Sequence, residues 1–191
     1  TCALPICILG VDPGLTRCGL AVVDYSNRKF ELVFADTFRS KPEDQLADRV
    51  FEIAKQIEDR FVEFKPETVA LERVFAQANL RSVMATAQIS GVVLYLARKY
   101  EVPIAFHTPS EVKLGVTGSG RANKAQVGAM VQRLLSLDAP LKPADTADAC
   151  AIAITHALRI GIAAGGETGS KSVPMTKAQR AWADAIRKSQ N

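Results

Sequence analysis

The stretch ICILGVDPGLTRCGLAVVD, Ile6 to Asp24, decides the fold. Its first apolar run, Ile6 to Val11, reads as a buried strand. Asp12-Pro13-Gly14 is turn chemistry, and Cys18 to Asp24 is a second strand. After a loop at Tyr25 to Arg28, Phe30, Leu32 and Phe34 alternate with other residues and predict a third strand to about Thr37. Three strands joined by short turns form an antiparallel meander.

Downstream, the period changes. Leu46, Val50, Ile53, Ile57 and Phe61 recur at spacings of three and four, which predicts a helix from about Pro42 to Phe64 with one apolar face, ended by Lys65-Pro66. Thr68 to Leu71 reads as a fourth strand with Glu72 at its end. A long Ala-, Val- and Met-rich helix is predicted from Asn79 to Tyr100, and a fifth strand from Val102 to Phe106. Thr108-Pro109-Ser110-Glu111 has the pattern of a capping box with proline at the first helical position, opening a short helix that ends near Gly115. The loop Gly118-Ser119-Gly120 leads to helices from about Ala122 to Leu137 and Pro143 to Arg159. Residues 6–160 thus read as one α/β domain, a mixed five-stranded sheet with helices on both faces. Residues 161–191 turn to Gly, Ser, Lys and Thr and read as a disordered basic tail.

Composition excludes more than it selects. No apolar run approaches the ~20 residues of a membrane helix, and the residues before the first strand do not read as a secretion signal, so none is expected. The four cysteines include no C-x-x-C pair and there are two histidines, so a structural zinc site is not expected. A reduced, cytoplasmic setting fits this cysteine usage. The net charge is +4, but five basic and two acidic residues of that balance fall from Gly161 onward. Overall charge therefore says little about nucleic-acid binding.

Four carboxylates stand where chemistry gathers in α/β folds. Asp12 ends the first strand, Glu72 ends the fourth, and Asp145 and Asp148 lie three apart near the start of the last helix, on one face of it. Taken singly, each has an ordinary role as a turn residue, a solvated strand end or a helix-dipole partner. Gathered together they would repel unless a cation neutralised them, and an all-oxygen set suits magnesium or manganese. Two such ions can activate a water and stabilise the leaving oxygen of a phosphodiester, and one carboxylate between them with others flanking is the minimum this chemistry needs.

ILGVDPGLTRCG (Ile8 to Gly19), VALERVF (Val69 to Phe75), HTPSEVKLGVTGSGRANKAQV (His107 to Val127) and PADTADACAIAITHA (Pro143 to Ala157) resemble the RuvC family of Holliday-junction resolvases, in that family's order and spacing. The resemblance implies an RNase H-like fold and a crossover junction endodeoxyribonuclease. Such an enzyme acts as a homodimer that nicks opposing strands of a four-way DNA junction symmetrically and leaves 5′-phosphate ends. It implies Asp12, Glu72, Asp145 and Asp148 as catalytic metal ligands, Asp12 lying between two Mg²⁺ or Mn²⁺ ions. Asp145 occupies a position that is His in some members, which leaves it as ligand or proton-transfer residue. Phe75 matches an aromatic that stacks on bases, and Lys113 and Lys124 match basic residues beside the cut phosphate, with Arg121 in the same loop. The long helix after Phe75 is the expected dimer contact. RuvA and RuvB, the branch-migration proteins, are the implied partners. His107 and His156 are assigned no catalytic role. The rivals are an actin-like ATPase, for which one phosphate loop in so short a chain is too little, a silent DNA-binding module, and a nuclease for RNA–DNA hybrids.

Overall fold

The computed structural model describes residues 4–73 and 80–165. A five-stranded sheet has the order β3-β2-β1-β4-β5. β1 (Ile6–Asp12), β2 (Arg17–Ser26) and β3 (Lys29–Arg39) form the antiparallel meander. β4 (Thr68–Glu72) and β5 (Ile104–His107) run parallel to β1 and to each other. This is the mixed sheet that the alternation and turn chemistry predict.

Alternation divides the core in two. Leu9, Val11, Leu20, Val22, Val69 and Leu71 face α1 (Leu46–Phe64) and α2 (Leu80–Lys99), meeting Ile53, Ile57, Phe61, Ile89 and Val93. Ile8, Ala21, Val23 and Ala70 face the other way, toward α3 (Pro109–Thr117), α4 (Lys124–Leu134) and α5 (Ala144–Gly165). Helices therefore cover both faces. Each fully buried large aliphatic chain contributes roughly 1.5–3 kcal/mol.

The capping box at α3 forms as predicted: Glu111 N donates to Thr108 Oγ1 at 3.1 Å, and Thr108 N donates to Glu111 Oε2 at 2.7 Å. A second box opens α4, between Asn123 and Gln126. Other boundaries differ from the sequence reading. α1 begins at Leu46 rather than Pro42, because residues 41–44 close a turn through Asp44 N and Lys41 O. Leu46 is consequently 51% exposed and outside the apolar face. A register shift in β3 places Phe30 and Leu32 against the α5 side but Phe34 against the α1 side, so the three do not share a face. β5 starts after Pro103, whose carbonyl accepts from Val69 N. α4 is shorter than Ala122 to Leu137; Val127, Val131 and Leu135 are buried and Met130 and Leu134 partly so. α5 continues past Arg159 to Gly165, so the first residues assigned to the tail are helical. Residues 166–191 lie outside the described residues.

Candidate active site

Asp12 closes β1 and Glu72 closes the neighbouring parallel strand β4, so both side chains leave the same end of the sheet. α5 starts above this end and supplies Asp145 from its first turn and Asp148 one turn on. Asp12, Asp145 and Asp148 each place a carboxylate oxygen within 4.8 Å of the others. Glu72 joins through a hydrogen bond with Asp12. Three of these acids and two lysines line a cavity of about 310 Å³: Asp12, Glu72, Asp148, Lys113 and Lys124, with Val112, Val127 and Ile152 as its apolar walls.

What brings α5 this close is the absence of side chains beneath it. A methyl group on Gly10 would meet the carbonyl oxygen of Ala149 and the Cβ of Ala153. One on Gly19 would meet the carbonyl of Asp145 itself. Glycine in a strand marks close backbone approach, and these two positions set the height of Asp145 and Asp148 over Asp12. Thr37 and Thr146 fasten the start of α5 with a buried hydroxyl pair at 2.9 Å. None of these four residues is singled out by the sequence reading, although glycine inside two apolar strands is the available signal.

The electrostatics are those of a site short of positive charge. Burial, then the charges of Glu72, Asp148 and Asp145, push the Asp12 carboxyl up to about 8. Burial also raises Glu72, while its hydrogen bond with Asp12 and the charges of Lys124 and Lys113 oppose the rise. Lys124 Nζ donates to Asp148 Oδ2 at 3.1 Å, and this bond raises the lysine. Arg17 Nε stands 3.4 Å from Asp145 Oδ2. Partly buried carboxylates that still compete for protons, with only oxygen donors converging, form a set that fits hard divalent cations. Asp12, Asp145 and Asp148 would hold such an ion, with Glu72 beside Asp12.

The remaining predicted residues divide. Lys113 and Lys124 line the carboxylate cavity. Arg121 does not: it borders a separate, more open cavity of about 520 Å³ with Ser119, Gln126 and Met130, which contains no carboxylate. Phe75 lies outside the described residues. His107 and His156 are buried together behind the site, His107 Nε2 3.2 Å from His156 Nδ1, with His156 Nε2 3.0 Å from Thr68 Oγ1. Burial lowers both imidazoles, His107 to about 3, helped by His156 and Arg159, and His156 to about 4, helped by Arg159.

Residues 8–156 match the family model described as Crossover junction endodeoxyribonuclease RuvC. The RuvC of Pseudarthrobacter chlorophenolicus is 49% identical over 180 residues, 93% of this chain and 94% of that one. That of Streptomyces griseus is 54% identical over 153 residues, covering 80% and 75%. Among solved structures, T. thermophilus RuvC in complex with a Holliday junction substrate superposes with a TM-score of 0.79 at 31% identity, covering 83% of this chain and 96% of that one. Its fold is therefore RNase H-like. With a family model spanning most of its length and relatives about half identical, the chain belongs to the RuvC family of crossover junction endodeoxyribonucleases, a family of nucleases.

Proposed function

We propose that this nuclease resolves four-way DNA junctions in homologous recombination and DNA repair, by symmetric paired nicking with two divalent cations, Mg²⁺ or Mn²⁺, in each site. The observation that carries the reading is the carboxylate cluster at the sheet end, with Lys113 and Lys124 sharing its cavity. Bound cations would supply Lewis acidity, activating a water and stabilising charge on the phosphate oxygens. The chain's own part is positional. Asp12, from its partly buried place between Glu72 and the α5 pair, is suited to bridge two ions. Asp148 and Asp145 present oxygen from one side and Glu72 from the other. Lys124 is free to leave Asp148 for a phosphate oxygen, and Lys113 adds a second point charge. Val112, Val127 and Ile152 keep the inner wall dry, which strengthens every charge interaction in the cavity. As the family resemblance implies, the cut would leave 5′-phosphate ends. Phe75 is the residue assigned to base stacking, worth roughly 1–3 kcal/mol per base.

Pairing two cuts calls for two sites related by symmetry, and α2 supplies a surface for it. Met84, Ala87, Gly91, Leu94 and Arg98 are exposed at spacings of three and four along one stripe. A methyl group on Gly91 would meet nothing, so a second copy's helix can approach closely there. This stripe is the proposed homodimer contact. RuvA and RuvB are the proposed partners on the junction, and the cytoplasm the proposed setting. Among the described residues, no helix is long and apolar enough to cross a membrane.

The test offers the purified protein a labelled four-way junction, a linear duplex and an RNA–DNA hybrid, each with magnesium, manganese or chelator. Paired, metal-dependent nicks confined to the junction are expected. Cutting of the hybrid instead, or binding without cutting under every metal, overturns the reading.

A further inference from the structure

Asp12, Asp145 and Asp148 stand between two groups of cations. On the β4 side are Lys113 and Lys124. On the β2 side stands a group with no assigned role. The register of β2 with β3 makes Arg17 and Arg39 direct cross-strand partners. Partners in an antiparallel pair share a face, with Cβ atoms roughly 4.5–5.5 Å apart, and like charges so placed repel. The face is the one α5 covers, since Gly19, the next residue on that side of β2, lies directly under Asp145.

Among the described residues, one anion answers these two charges. Arg17 touches Asp145 through Nε at 3.4 Å and remains 57% exposed, leaving the outer edge of its guanidinium open. Arg39 is exposed and, among the described residues, forms no ion pair. The strand ends carrying the pair are nonetheless held firmly. Arg49 donates from Nη2 to Thr16 Oγ1 at 2.8 Å and from Nε to Ser40 Oγ at 3.0 Å. Ser40 donates from its hydroxyl to Leu15 O at 2.6 Å and from its amide to Thr16 O at 3.3 Å. The residue before Arg17 and the residue after Arg39 are thus tied to each other and to α1. Two arginines at paired positions on one face of a braced edge suit an anion that both can reach. Their planar forks match phosphate oxygens.

We infer that Arg17 and Arg39 form a phosphate clamp for the DNA strand on the β2 side of the cut. It faces Lys113 and Lys124 across the carboxylates, so that a strand crossing the metal ligands is gripped on both flanks. This rests on the reading that the site acts on DNA.

The experiment measures binding of a fluorescent four-way junction and of a linear duplex, in chelator so that nothing is cut, across a series of salt concentrations. A phosphate contact contributes about 0.9 to the slope of log affinity against log salt. Arg39→Gln should lower the slope by about one for each bound copy of the chain and weaken binding several-fold at moderate salt. Arg17→Gln should do the same, and the double variant should lose about twice as much slope. Lys29→Gln, an exposed lysine at the opposite end of β3, serves as control and should leave the slope unchanged. Arg39 touches no carboxylate among the described residues, so its effect cannot arise through Asp145. Unchanged slopes for Arg17→Gln and Arg39→Gln, or an equal fall for Lys29→Gln, overturn the clamp. A wild-type protein that binds duplex and junction equally would overturn the junction reading instead, while the slope comparison on the duplex would still decide the clamp.

Discussion

On the face covered by α1 and α2, the strands present Leu9, Val11, Leu20, Val22, Val69 and Leu71. On the face covered by α5 they present Ile8 and Val23 but also Gly10, Gly19, Ala21 and Ala70, and α5 answers these with Ala149, Ala153 and Ala157. The first face gains stability in the ordinary way, from large interlocking chains. The second gives up side-chain volume for nearness, and the nearness is what carries Asp145 and Asp148 to Asp12. The α5 face also holds most of the buried polar groups, Thr37, Thr146, Thr155, His107 and His156, against Ser40 and Ser90 on the side of α1 and α2. One side of the sheet is built for stability, the other to gather carboxylates that repel one another.

The largest effect should come from the point where that gathering ends. Asp12→Asn removes the proposed central ligand and with it several kcal/mol of charge stabilisation, roughly a thousandfold or more in the cleavage rate. It also removes one of the repelling charges. The metal-free variant should therefore melt no lower than wild type at pH 8, while a junction cleavage assay reads near background. A variant that cuts normally would break the assignment.

Paired substitutions sharpen the contrast between the faces. Ile57→Ala, under α1, opens a cavity in a fully buried site and should cost about 2–5 kcal/mol by denaturant unfolding. The folded fraction should bind manganese as wild type does. Gly19→Ala forces a methyl against the Asp145 carbonyl. Overpacking of this kind costs about 1–3 kcal/mol, and here it should also weaken manganese affinity, measured by calorimetry, because α5 must lift. Equal metal affinities for the two variants would show that the glycines do not set the site.

Much of this was legible in the chain. Period-two and period-three-to-four runs placed five strands and five helices, and the four acids stood out because each ends a strand or begins a helix. What periodicity lacks is depth. The β3 register shift, which sends Phe34 to the opposite face from Phe30 and Leu32, depends on pairing with β2 rather than on composition. The start of α1 depends on a turn that competes with the helix for residues 41–44. At the site, Arg17 reaches Asp145 only because two elements 128 positions apart in sequence are pressed together over Gly19, and no local pattern encodes that contact.

A smaller effect follows from Asp12 itself. Its carboxyl is raised from 3.8 to about 8 in the folded chain. Between those values the folded state binds more protons than the unfolded one, so this group's contribution is full below about pH 4 and is lost as pH rises through 8. Magnesium competes with that proton. The rise in Tm on adding magnesium should therefore be larger at pH 8 than at pH 6, and the difference should vanish in Asp12→Asn. A magnesium shift that ignores pH would mean that the ion does not displace the proton on Asp12.

The smallest effect concerns the histidines, which are the chain's only two. The Thr68 hydroxyl donates to Pro103 O at 3.3 Å, so it accepts from His156 Nε2. His156 Nδ1 is then the acceptor for His107 Nε2. The chain closes only with His156 neutral, since protonating it would set two N–H groups against each other, while burial is the main cause that keeps His107 neutral. Their lowered values, about 3 and 4 against 6.5 unfolded, make this contribution full above pH 6.5. It is lost progressively as pH falls toward 4, because the unfolded chain takes up protons first. Imidazole signals followed by NMR should not titrate between pH 7.5 and 5. Hydrogen exchange in the same range should show α5 amides losing protection before those of α1, since the polar chain ties α5 to β4 and β5. Histidines that titrate near 6.5 would overturn the neutral pair, and an α1 that opens first would place the acid-sensitive side of the molecule on the opposite face.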